Sequence, residues 1–177
     1  ARSSLTQDIV FYADDPMIRF DTRMDWQDDH RLLKTAFPTS ILSDFARQEI
    51  QFGHVKRPTT RNTSIEKAKF EVCNHRFTDL SELRYGVSLL NDCKYGISVK
   101  DGCMALTLHK GGCRPDAAGD KGIHDCTYAL LPHIGDFSSD TVIRAAYCIN
   151  DPVSVVSGRT QNQQSFVSSS ESNVIIE

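Results

Sequence analysis

The 177 residues predict a mostly β, antiparallel sandwich carrying one or two short helices. Three observations carry that expectation. Apolar and charged side chains alternate with period two over residues 18–26, Asp101-Gly102 sits between two strand-like runs, and short apolar runs recur between Gly, Pro, Asn and Asp. A chain of this length buries roughly 70% of the surface that its unfolded form exposes, so the core needs no disulfide or metal to hold it.

Taken in order, Ile9-Val10-Phe11-Tyr12 opens with a strand-like run. Next, Ile18, Phe20, Thr22, Met24 and Trp26 fall on even positions and Arg19, Asp21, Arg23 and Asp25 on odd ones. That is a strand with one face buried, Trp26 included, and one wet. Further strands are expected over residues 32–37, ended by Pro38, and over 46–52 and 69–73. Residues 96–100 and 103–109 flank Asp101-Gly102, the two-residue loop of a type I′ hairpin, in which both positions take positive φ. Residues 111–120 form a Gly/Pro/Asp loop, and a strand over 125–131 stops at Pro132. Residues 138–149 predict a helix: Ser138 or Ser139 caps it, Asp140 favours its positive end, and Val142, Ala145, Ala146 and Ile149 share a face. Asn150-Asp151-Pro152 ends it.

Residues 1–157 therefore read as the bulk of one β domain. Residues 158–172, rich in Gln, Ser and Asn, read as a polar loop or linker. Residues 173–177 look like the start of a further strand that the chain's end truncates. A broken strand leaves an open sheet edge, through which copies of the chain are expected to form a homo-oligomer.

Several function classes are disfavoured at once. The formal charge is -3, from 20 basic and 23 acidic side chains, with no Lys/Arg cluster to follow a phosphate backbone, so no nucleic acid partner is expected. No apolar run approaches the ~20 residues that span a bilayer, so no membrane partner is expected either. The first residues lack the apolar stretch of a signal peptide. Six cysteines, at 73, 93, 103, 113, 126 and 148, never fall as Cys-x-x-Cys, which predicts reduced, mostly buried thiols and a cytoplasmic location.

Motifs that announce chemistry are scarce. Zinc-site spacings such as His-x-His or His-x-Asp, a Gly-x-Ser-x-Gly elbow and Gly-rich phosphate loops are all missing from the sequence. Asn62-Thr63-Ser64 fits the glycosylation acceptor pattern, which in a cytoplasmic chain reads as chance. The densest polar cluster is Asn91-Asp92-Cys93-Lys94-Tyr95-Gly96. It has two readings. As a sugar-contacting loop, Asn91 and Asp92 bridge vicinal hydroxyls, Lys94 donates to them and Tyr95 covers an apolar sugar face; as a tight turn, Asn and Asp bond their own backbone.

Around this cluster the sequence resembles a known family. The runs Glu49-Ile50-Gln51-Phe52-Gly53-His54, Arg57-Pro58-Thr59, Asn62-Thr63-Ser64 and residues 68–82 are similar to the C-terminal β domain of family 38 α-mannosidases, closest to the cytosolic and bacterial branch. The likeness continues through residues 85–96, Pro115-Asp116 and Thr127-Tyr128-Ala129-Leu130-Leu131-Pro132-His133. It implies a sandwich of the galactose mutarotase-like kind, and one portion of a retaining glycosidase acting on terminal α-mannosides. It also implies an upstream catalytic barrel as partner within the same parent chain, α-mannoside glycans as substrate, and a zinc or other divalent ion held by that barrel. No catalytic or metal-binding residue carries over to this sequence. A non-catalytic carbohydrate-binding or assembly module is the alternative.

Overall fold

In the computed structural model, described for residues 2–158, 165–171 and 174–176, two antiparallel sheets face each other. The elements are β1 (Ser4–Tyr12), β2 (Asp15–Trp26), β3 (Leu32–Pro38), β4 (Phe45–Ile50), β5 (Gly53–Pro58), α1 (Ser64–Ala68), β6 (Val72–Cys73), β7 (Phe77–Ser81), β8 (Tyr85–Asn91), β9 (Gly96–Lys100), β10 (Cys103–Lys110), β11 (Gly122–Ile134) and α2 (Arg144–Asn150). The larger sheet runs β1-β2-β11-β8-β7-β4-β5 and the smaller β3-β10-β9-β6.

The alternation in β2 sets the layers. Phe20, Thr22, Met24 and Trp26 are buried, whereas Arg23 and Asp25 are exposed. Phe20 and Met24 join Ile97, Met104, Leu106 and Leu108 of the smaller sheet in the main core. A second core lies on the outer face of the larger sheet, where Phe77, Leu90, Ala129 and Leu131 receive Val142 and Ala146.

The hairpin at residues 101–102 has the expected geometry, with φ of 51° at Asp101 and 73° at Gly102. A Cβ on Gly102 would stand 2.8 Å from the Thr39 carbonyl oxygen. Gly102→Ala is therefore expected to lower stability by about 1–3 kcal/mol, read from urea unfolding, because it adds a clash to a left-handed backbone.

Four element boundaries differ from expectation. The strand predicted over 46–52 ends at Ile50, because Phe52 takes a positive φ of 58° in the turn to β5. The one predicted over 69–73 shrinks to Val72–Cys73, since residues 64–68 form α1 and the Lys69 amide donates to the Ile65 carbonyl at its end. The capping box that starts α1, Thr63 with Glu66, lies in the segment taken for a chance glycosylation pattern. The strand predicted over 125–131 runs through Pro132 to Ile134: β2 pairs only as far as Leu130, so the missing proline N–H falls where the ladder has no partner on that side. The predicted helix begins with a π-helical turn, Ser139–Ile143, before α2.

The expectation of mostly buried thiols is overturned. All six cysteines are free, but only Cys126 is buried, while Cys73, Cys93 and Cys148 are exposed. They sit on a two-residue edge strand, in the turn after β8 and on the outward side of α2. Of the predicted strand over 173–177, residues 174–176 are described and belong to no strand; the rest of it lies outside the described residues, as does part of the linker assigned to 158–172. No helix among the described residues is long and apolar enough to cross a membrane.

Candidate functional site

The turn between β8 and β9 brings Asn91, Asp92, Lys94 and Tyr95 together at one end of the sandwich. Asn91 is 1% exposed. Its Nδ2 donates to the His75 carbonyl at 2.8 Å and its Oδ1 accepts from the Lys94 amide at 2.6 Å. Asp92 continues the ladder to β11: its amide donates to the Thr127 carbonyl at 3.1 Å, and its Oδ2 accepts from the Thr127 amide at 2.9 Å. These are the bonds of a tight turn, in which Asn and Asp side chains stand in for backbone. Although Cys93 is exposed as a residue, partial desolvation of its sulfur and the neighbouring Asp92 push the thiol up to about 12.

What the turn leaves at the surface is narrower than the four-residue reading. Tyr95 is 55% exposed, with its ring edge-on to His75 at 5.3 Å. Lys94 is partly exposed, and Asp92 is exposed. These three groups offer a ring face, a donor and an acceptor to a ligand; the Asn91 side chain serves the turn.

A second polar cluster lies at the opposite end of β7, within the larger sheet. His133 Nε2 meets Asp79 Oδ2 at 2.8 Å, with side chains 4% and 1% exposed. Ser88 Oγ donates to the same carboxylate oxygen at 2.8 Å, and Ser81 Oγ donates to Oδ1. The hydrogen bond to Asp79 raises the His133 pKa, against the desolvation that lowers it. At Gly86 any Cβ would collide with the His133 ring and the Ser81 hydroxyl, so β8 needs glycine beside the imidazole. A cavity of about 220 Å³ opens past Asp79 and Ser81 toward Arg47 and Asp136, which pair at 3.5 Å.

Sequence reasoning passed over this cluster, although Asp79 and His133 both stood in the matched runs. The available signal was an Asp between apolar residues in Phe77-Thr78-Asp79-Leu80, which a buried strand tolerates only with a partner. That partner lies 54 residues away on β11, a pairing that only the sheet order reveals.

The divalent ion that the resemblance implies does not fit these residues. Among the described residues no group of three or more His, Cys, Asp or Glu side chains is placed to hold a metal ion.

Comparison with known proteins agrees with the fold and with the motifs. Residues 1–118 match the family model described as the glycosyl hydrolases family 38 C-terminal domain. The alpha-mannosidase 2C1 of Homo sapiens is 48% identical over 151 residues, which is 85% of this chain and 14% of that protein. Alpha-mannosidase G of Dictyostelium discoideum is 38% identical over 181 residues, covering 98% of this chain and 17% of that protein. The crystal structure of an alpha-mannosidase from Enterococcus faecalis V583 superposes with a TM-score of 0.73 at 18% identity, over 81% of this chain and 17% of that one. The chain thus spans about one seventh of the length of the first of these relatives. From fold, motifs and relatives together, it belongs to glycosyl hydrolase family 38, as a C-terminal domain of its α-mannosidases.

Proposed function

We propose that the chain is the C-terminal β portion of a retaining α-mannosidase, and that it serves as a scaffold packed on an upstream catalytic part that holds the nucleophile and the divalent ion. The observation that carries this reading is the coverage: close identity to α-mannosidases over 85% of this chain but 14% of the relative. The 177-residue chain is expected to release no p-nitrophenol from p-nitrophenyl α-mannoside, with or without added zinc, while a protein that includes the upstream part does so in a chelator-sensitive way. Steady release by the 177-residue chain overturns the proposal.

Within this reading the turn after β8 faces the sugar, with Asp92, Lys94 and Tyr95 as its contacts. In the longer enzyme, Tyr95→Ala is expected to raise KM about tenfold with kcat less affected, the value of one lost ring face or hydrogen bond. An unchanged KM removes the turn from the substrate site. The same reading places the protein in the cytoplasm, in keeping with six unpaired thiols.

A further inference from the structure

The two sheets end unequally on the side where α1 joins them. The smaller sheet stops at β6, which pairs only Val72 and Cys73 against the first two residues of β9, so Ser98, Val99 and Lys100 have no strand beside them on that flank. The larger sheet stops at β5. Between these edges, under α1, lies a groove of about 240 Å³. Its apolar lining includes Val72, Ile97 and Val99 from the strands, with Ile65 and Phe70 from α1 and the segment after it.

Four cations border this groove, Lys56, Arg57, Arg61 and Lys69, and none of them forms an ion pair with a carboxylate among the described residues. Arg57 Nη1 donates to Gln48 Oε1 at 3.2 Å and to the Cys73 carbonyl at 3.0 Å, and Arg61 Nη2 donates to the Phe70 carbonyl at 2.8 Å. Their remaining N–H groups have no acceptor among the described residues. The one acid in the lining, Glu66, caps α1, accepting from the Asn62 amide at 2.6 Å and the Thr60 hydroxyl at 3.3 Å, and its single charge leaves the lining positive. A groove with this excess of positive charge is unusual on a chain whose net charge is -3. Burial also lowers the Arg57 pKa, the sign of a cation held without a counter-charge.

We propose that this groove binds a short amphiphilic carboxylate, its anionic head among Arg57, Arg61 and Lys69 and its hydrocarbon part on Val72, Ile97 and Val99. Four cations against a single carboxylate select an anion, and a guanidinium is the natural partner of a planar carboxylate. The apolar floor selects against a fully hydroxylated ligand. At about 30 Å³ for each water-sized group, the groove admits about eight non-hydrogen atoms, the size of a six-carbon carboxylate. The groove is separate from the turn after β8, so this site is independent of the sugar contacts proposed above.

The test is a titration of the isotopically labelled 177-residue chain with sodium hexanoate at fixed ionic strength, followed by amide NMR. Saturable shifts are expected at Val55, Ile65 and residues 97–99, with a Kd of about 1 mM, ordinary for a ligand this small. The neutral isostere hexanamide is expected to bind at least tenfold more weakly. Lys69→Glu, at a side chain with no partner among the described residues, should weaken hexanoate severalfold without moving the melting temperature, and Arg61→Gln should weaken it as well. Equal binding of hexanamide, shifts centred elsewhere, or hexanoate affinity unchanged in a folded Lys69→Glu variant each overturn the proposal.

Discussion

Asp79→Ala is expected to lower the stability of the domain by about 3–5 kcal/mol, the cost of removing one partner from a buried ion pair. Both side chains are almost wholly enclosed, and the carboxylate is the shared acceptor of Ser81, Ser88 and His133. Without it two hydroxyls and an imidazole lose their shared partner. The imidazole can escape part of the cost by giving up its proton, so the variant should also lose a pH dependence. The folded-state pKa of His133 lies above its ordinary value, so the pair's contribution is complete below about pH 6.5 and declines as pH rises through the raised value. Urea unfolding at pH 6 and at pH 8.5 reads this directly: the wild-type advantage over Asp79→Ala should be larger at the lower pH. Comparing the two proteins at each pH largely cancels His109, whose pKa burial lowers. An advantage that stays constant or grows with pH sinks the assignment of an imidazolium to His133.

Phe77→Ala is the second large effect, again about 3–5 kcal/mol. Phe77 is 1% exposed and stacks on Phe137 at 5.6 Å, in the core that holds α2 against the larger sheet. An alanine there leaves a void that β7, fixed between β4 and β8, cannot close. The damage should spread to α2, whose Asn150 Nδ2 donates to the Asn91 carbonyl at 3.0 Å and so braces the turn after β8. Hydrogen exchange is the informative measurement. Residues 144–150 should lose protection to a greater extent than the smaller sheet does. Uniform loss across both sheets would mean that α2 is no separate unit.

Local pattern made β2, the residue 101–102 hairpin and β3 legible in the sequence, because each depends on side-chain period or on two residues with positive φ. What the sequence hid follows from longer-range causes. Nothing near Pro132 says that β2 has already ended when β11 reaches it, and nothing near Lys69 says that a capping box six residues earlier has claimed the segment for a helix. The candidate site shows the same division. The turn chemistry of Asn91 and Asp92 could be read locally, whereas the pairing of Asp79 with His133 depends on β11 lying beside β8. Cysteine burial failed for a simpler reason: type alone suggested the interior, but Cys93 and Cys148 occupy a turn and an outward helical face.

The position of β11 also bears on how the domain assembles in time. The strand from Gly122 to Ile134 lies between β2 and β8, so the β1–β2 hairpin and the β4–β5–β7–β8 block have no hydrogen-bonded connection in the larger sheet without it. During synthesis both blocks leave the ribosome well before the strand that joins them, and each waits with an unpaired edge. Closing a loop of about a hundred residues to join β2 to β11 makes this a slow, high-contact-order step, and the interval before it is when the nascent chain is most open to aggregation or to a chaperone.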